Sequence, residues 1–199
     1  MKNIFIISFF MFLTGCIHLN SSPSSKFYTL RVLENPTKKF LTSNINICLG
    51  DIQTPLYLDK TQIITRSPNE IEIFMAEFER WCEPFPNILR RTVYENLSKL
   101  LANASVSRAY LQQDICDYSV LLDISRFDGV MGNNCTLNVW VHILNKNNKT
   151  VLQKKFEKTV NVENTYPAYI KGIENLVNFI SLELAQEIQA LSFSSRTKS

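Results

Sequence analysis

Cysteines are the main side chains in this sequence that could carry chemistry. Cys16 lies near the start of the chain, and Cys48, Cys82, Cys116 and Cys135 follow at wide intervals. No two of them have the C-x-x-C spacing of a thioredoxin-like redox site or a zinc knuckle. In an oxidising compartment the last four could form two disulfides in three connectivities, so we expect either disulfides or buried free thiols among them.

Residues for acid–base or nucleophilic catalysis are sparse. The only histidines are His18 and His142, and no serine lies in a G-x-S-x-G elbow. Asp51, Asp59, Asp123 and Asp128 lie near the ends of predicted strands. Two of them could pair as a general acid and base, but the sequence does not show which carboxylates lie close together. We expect no catalytic residues, and the absence of metal-ligand spacing predicts no metal site.

An apolar segment precedes Cys16. One lysine and then a run of about ten apolar residues, too short to cross a membrane, are typical of a secretory signal peptide. Leu13, Thr14, Gly15 and Cys16 follow this run and resemble the lipobox of bacterial lipoproteins. In a lipobox the cysteine thiol is alkylated by diacylglycerol and the new N-terminus is acylated, so we expect this covalent lipid and no cofactor.

Four segments follow from this assignment: a signal peptide (1–15), a lipidated flexible tether (16–26), a folded domain (27–191) and a flexible tail (192–199). Lipoproteins held at the inner membrane commonly carry Asp after the lipidated cysteine, whereas this chain has Ile17. We therefore expect Cys16 to anchor the protein on the periplasmic side of the outer membrane.

Composition fits one globular domain. The 199 residues are 45% hydrophobic and 20% charged, which suffices for a sizeable core. The formal net charge of +3 is too small to indicate a nucleic-acid partner.

Hydrophobic periodicity predicts strands, a helix, more strands and a second helix. We expect strands at 27–33, 44–52, 61–66, 70–74 and 105–108, an antiparallel meander over 115–162, and helices at 84–102 and 165–191. A turn at Ser67-Pro68-Asn69 would join two of the strands. The predicted fold class is α/β, with a mixed, largely antiparallel sheet and two long amphipathic helices packed on it.

Two segments resemble a known family. Residues 55–66 have the sequence PLYLDKTQIITR, and residues 78–85 have the sequence FERWCEPF, followed by Leu89-Arg90 and Asn96-Leu97. Together with the lipobox they resemble the ABC-type transport auxiliary lipoproteins over residues 16–191. Cys82 departs from the family pattern, where alanine is usual.

The resemblance implies a role in intermembrane transport. Its members are expected to work with an MCE-domain protein and an ABC permease and ATPase that move lipids or other hydrophobic substrates, acting by binding and positioning at the outer membrane. A homo-oligomer is compatible with this role. Two alternatives are a lipoprotein that itself encloses a lipid, and an assembly or pilotin-like lipoprotein of another envelope machine.

The resembling segments also supply the candidate partner-binding residues, which are Pro55, Tyr57, Leu58, Asp59, Arg66, Arg80, Trp81 and Pro84. Tyr57 and Trp81 either anchor a partner or cover the core beside the first helix. Arg66 and Arg80 are either solvated or pair with acids of a partner or with phospholipid headgroups.

Overall fold

The computed structural model describes residues 23–108 and 116–194. Its strands are β1 (Lys26–Tyr28), β2 (Phe40–Gln53), β3 (Gln62–Arg66), β4 (Ile73–Trp81), β5 (Leu101–Arg108), β6 (Tyr118–Val130), β7 (Asn134–Asn145) and β8 (Thr150–Asn161). Its helices are α1 (Phe85–Leu100) and α2 (Tyr166–Ser194), and a 3-10 turn spans Leu56–Leu58. The predicted α/β class is confirmed.

All eight strands form one mixed sheet. The pairs β3–β4, β6–β7 and β7–β8 are antiparallel, which confirms the predicted meander. The pairs β1–β4, β2–β5 and β2–β6 are parallel. Strand β6 has β7 along one edge, while its other edge adjoins β2 at residues 118–123 and β3 at Val130.

Both helices cover the same face of the sheet. Along β6 the side chains of Tyr118, Val120, Leu122 and Ile124 alternate into the core, whereas Leu121 faces solvent. The period of two thus leaves one face open, as expected for a sheet covered on one side.

Helix α1 starts where prolines favour a start. Pro84 occupies the N-cap position and Pro86 lies in the first turn, where a missing N–H is tolerated. Ile88, Val93 and Leu97 are buried on its inner face. The helix ends two residues earlier than predicted, because Leu101 turns directly into β5 beside Phe40 of β2.

The first predicted strand is wrong beyond Tyr28. Residues 29–33 cross the two helices as irregular chain, and side chains of the helices accept hydrogen bonds from two of their backbone N–H groups. The N–H of Arg31 donates to Glu174 at 3.0 Å, and that of Leu33 donates to Asn96 at 2.8 Å. These helix side chains replace the neighbouring strand that an extended segment would need.

The hairpin of β3 and β4 has the predicted turn but a longer second arm. Ser67 and Asn69 hold the turn, because the Ser67 hydroxyl accepts from the N–H of Glu72 and the Asn69 carbonyl accepts from the N–H of Ile71. Strand β4 then continues to Trp81, whereas the sequence predicted an end at residue 74. The extension forms because β1 pairs with its last three residues.

The structure joins Cys48 on β2 to Cys116 in a disulfide, with their Cα atoms 5.7 Å apart. Cys82 is an exposed free thiol and Cys135 is a buried one. Burial raises the pKa of the Cys135 thiol to about 12, so it stays protonated and behaves as a small apolar core residue.

Candidate functional site

A buried carboxylate gathers side chains from three elements at the turn end of the β3–β4 hairpin. Asp128 on β6 is fully buried and accepts hydrogen bonds from Tyr57 at 2.6 Å, Arg66 Nε at 2.6 Å and Arg126 Nε at 3.0 Å. Arg126 also donates to the carboxylate of Glu70 in the turn at 2.9 Å. We call these five residues the hairpin brace.

The hydrogen bonds of the hairpin brace keep Asp128 ionised and Tyr57 protonated. Burial alone would raise the pKa of Asp128, but hydrogen bonds from Arg66 and Tyr57 outweigh it and hold that pKa below its usual value. Burial, and then the bond to Asp128, raises the pKa of Tyr57 to about 12. Two guanidinium and two carboxylate groups balance in charge.

This arrangement suits a structural role. A general base must reach its substrate and have a pKa near the operating pH, whereas Asp128 is fully buried, accepts three donors, and has a pKa below its usual value. The network instead ties the 3-10 turn, β3 and the hairpin turn to one point on β6. Arg66 is mostly buried and its guanidinium is bonded to Asp128, which corrects the expectation that it is solvated. Its pairing with a partner acid or a phospholipid headgroup stays a prediction.

An aromatic stack lies beneath the same hairpin. Trp81 packs on Phe85 with ring centroids 5.1 Å apart, and Phe85 meets Phe127 edge-on at 5.3 Å. Trp81 and Leu58 are buried, so these two residues cover the core and do not present a partner surface. For Trp81 the structure thus selects the core role, because the ring fills the space between the sheet and the start of α1.

Other residues of the first motif do face solvent. In the 3-10 turn Leu56 is 85% exposed and Asp59 is exposed, while Pro55 is half-buried. Arg80 and Pro84 are half-buried, and Arg80 donates to the backbone carbonyl of Glu77. Leu13, Thr14, Gly15 and Cys16 lie outside the described residues.

Comparison with known proteins identifies the family. The family model of the ABC-type transport auxiliary lipoprotein component matches residues 28–185. The chain belongs to the ABC-type transport auxiliary lipoprotein family. Membership implies a lipoprotein of the cell envelope that associates with an ABC transport system. No functionally curated protein matches the chain.

Two solved structures, with TM-scores of 0.70, share the fold of this auxiliary lipoprotein. A protein from Xanthomonas campestris is 19% identical with a TM-score of 0.70, over 88% of this chain and 100% of that one. An uncharacterized protein is 17% identical with a TM-score of 0.70, over 83% and 99% of the two chains. A putative lipoprotein from Caulobacter crescentus is 17% identical with a TM-score of 0.39, over 52% and 79%.

The auxiliary lipoprotein leaves almost no empty space where the aromatic stack meets α2. The apolar cavity lined by Trp81, Phe85, Phe127 and Ile173 among others measures about 10 Å³. Pockets that enclose small ligands are typically about 300–1,000 Å³.

Within residues 23–108 and 116–194, no helix is long and apolar enough to span a bilayer.

The exposure of one apolar feature of the auxiliary lipoprotein is visible only in the structure. The hairpin tip, which we define as residues 67–75, exposes Ile71, Ile73, Phe74 and Met75. The signal was present, because the run of apolar residues after the turn does not alternate as a half-buried strand would. The sequence predicts a hairpin there, and a non-alternating apolar run in a hairpin indicates apolar side chains on both of its faces.

Proposed function

We propose that this protein is the lipid-anchored, outer-membrane component of an MCE and ABC-type system that moves lipids or other hydrophobic substrates between the two membranes. It acts by binding and positioning partner proteins and has no catalytic role. The observation that carries the proposal is the family match over residues 28–185, together with the lipobox that ends at Cys16.

The filled interior supports a binding role over lipid carriage. The apolar space between Trp81, Phe127 and Ile173 measures about 10 Å³ and does not accommodate an acyl chain. The wider grooves, of about 840 and 500 Å³, are open at the surface and have many polar residues in their walls. Extraction of the purified mature protein with organic solvent, followed by mass spectrometry, should therefore release no stoichiometric lipid beyond the chains on Cys16. A stoichiometric non-covalent lipid would favour the carrier alternative.

The 3-10 turn is the partner contact that we propose. The turn is held in place by contacts with the rest of the domain, because the Tyr57 hydroxyl donates to Asp128 and Leu58 is buried in the core. The side chains of Leu56 and Asp59 on this turn are exposed to solvent. A contact group that is ordered before binding loses less conformational entropy when the partner arrives. An exposed leucine on a rigid turn is thus a good anchor for an apolar pocket on a partner.

Affinity purification tests this proposal. The full-length lipidated protein, cross-linked in intact cells and purified from envelopes, should recover an MCE-domain protein with a permease and an ATPase. Leu56→Ser should reduce that recovery severalfold. Leu41→Ser is the matched control, since Leu41 is also exposed but lies at the far end of β2, and it should leave recovery unchanged.

The outcomes separate the candidates. Recovery of a secretin or an assembly factor, with no transport component, would replace this proposal by the pilotin-like alternative. Equal recovery with Leu56→Ser and the unmodified protein would move the contact away from the 3-10 turn and leave the transport role in place.

A further inference from the structure

The hairpin tip is an apolar projection with an open edge. Ile71 is 79% exposed, Phe74 50% and Met75 52%. Strand β4 pairs with β1 only at residues 79–81, so among the described residues no strand covers that edge at residues 73–77. Isolated exposed apolar side chains are ordinary on a protein surface, but a contiguous group marks a contact site.

The strand register shows which way the chain leaves the domain toward Cys16. Strand β1 runs parallel to β4, with Lys26 beside Glu79 and Tyr28 beside Trp81. The chain that precedes Lys26 therefore leads along β4 toward the hairpin tip. Residues 16–25 reach roughly 30 Å when extended. The path back along β4 from Glu79 to Ile71 is about 26 Å. The lipidated cysteine can thus lie level with the tip.

We propose that the hairpin tip is a second membrane contact, which inserts its apolar side chains into the phospholipid leaflet that holds the acyl chains of Cys16. This inference rests on the proposed lipid anchor. Acyl chains hold the protein at the membrane without fixing its orientation. An apolar contact beside the anchor point supplies that orientation.

The charges around the tip set how deep it enters. Glu70 is neutralised by Arg126 at 2.9 Å, so it does not oppose approach to phospholipid. Glu72 and Glu77 are exposed beside the apolar side chains and retain hydration. The tip therefore enters the interfacial region, about 5–10 Å deep, and not the hydrocarbon centre.

The hairpin brace makes the contact directional. It fixes the hairpin to β6, whose 13 residues extend about 40 Å away from the tip. The turn between β7 and β8, which includes Asn148, lies at the opposite end because Tyr118 pairs with Asn145. When the tip is in the membrane, the β7–β8 turn at the other end of the strands lies farthest from the membrane, in the periplasm.

Tryptophan fluorescence tests the contact on the mature lipidated protein. In a Trp140→Phe background the remaining native tryptophan, Trp81, is buried. Phe74→Trp places a reporter on the tip. Val151→Trp is the matched control, since Val151 is 39% exposed at the opposite end of the sheet. The vesicles consist mainly of phosphatidylethanolamine with some phosphatidylglycerol and carry brominated acyl chains.

We expect brominated lipid to quench the Phe74→Trp reporter at least about twofold more than the Val151→Trp reporter. Equal quenching of the two reporters in protein that floats with the vesicles would overturn this inference and leave the lipid anchor standing. Failure of the protein to float would overturn both. A blue shift of the tip reporter that required an added envelope protein, and not vesicles, would assign the tip to a protein partner and overturn the membrane contact.

Discussion

The Nε–H group of Arg66 donates a hydrogen bond to Oδ1 of the fully buried Asp128 carboxylate, with 2.6 Å between nitrogen and oxygen. The two residues are 62 positions apart, and their pairing joins the first family motif to the longest strand of the meander. The bond explains why an arginine ends the motif: a buried carboxylate needs a charged donor, and a guanidinium offers several N–H groups in one plane.

Removing the charge of Asp128 should destabilise the domain strongly. In Asp128→Asn two guanidinium groups lose their shared counterion, and breaking a buried pair in this way costs about 3–5 kcal/mol. Urea unfolding followed by circular dichroism would measure this loss. Asp123→Asn changes an exposed carboxylate on the same strand and should stay within about 0.5 kcal/mol of the unmodified protein.

Lowering the pH should weaken the contribution of the Asp128 hydrogen bonds to stability. The pKa of Asp128 lies below its unfolded value, so its contribution is fully present above an unfolded pKa of about 3.9 and is lost as pH falls through the folded pKa. The stability difference between the unmodified protein and Asp128→Asn should therefore shrink below about pH 4. Thermal melting from neutral to acidic pH measures it, and a difference independent of pH would contradict an ionised Asp128.

Loss of the disulfide should lower stability more than loss of a free thiol. Replacing Cys48 by alanine opens a covalent loop of 68 residues, for which about 2–4 kcal/mol of destabilisation is typical. Cys82→Ser is the control, because that thiol is exposed and unbonded, and it should leave unfolding unchanged. Similar unfolding midpoints for Cys48→Ala and Cys82→Ser would show that the bridge contributes little.

A methyl group at Gly129 should disrupt the β6–β7 pair beside the hairpin brace. An added Cβ would lie 1.9 Å from the backbone oxygen of Asn134, which cannot move without breaking the register. Gly129→Ala should be destabilised by about 3 kcal/mol or more, or fail to accumulate as folded protein. Gly50→Ala meets mainly the end of the exposed Leu121 side chain, so milder destabilisation is expected in the same unfolding assay.

The anchor can be tested apart from the fold. Cys16→Ser removes the thiol that lipid attachment requires, so the protein should fold normally but appear in the soluble periplasmic fraction and lose transport function. Fractionation with immunoblotting measures its location. Unchanged membrane retention would show that Cys16 is not the anchor.

Local pattern was sufficient for much of this protein. The apolar periods predicted both helices and the meander, because helical and strand spacing follow from which face each element buries. The family motifs were also visible as residues, and the family match agrees with them. Sequence alone further supplied the expected lipidation at Cys16, which depends on a local recognition segment.

Only the tertiary structure decided what the motif side chains do. From the sequence, Arg66 and Asp128 looked like surface groups and Tyr57 could be either a partner anchor or a core residue. The pairing of β3 with β6 places all three in one buried network. The predicted strand at residues 29–33 was wrong for a similar reason, since Glu174 and Asn96 on the helices accept hydrogen bonds from the N–H groups of Arg31 and Leu33. Hydrogen bonds between residues far apart in the chain are set by the packing of elements, and spacing along the sequence does not encode that packing directly.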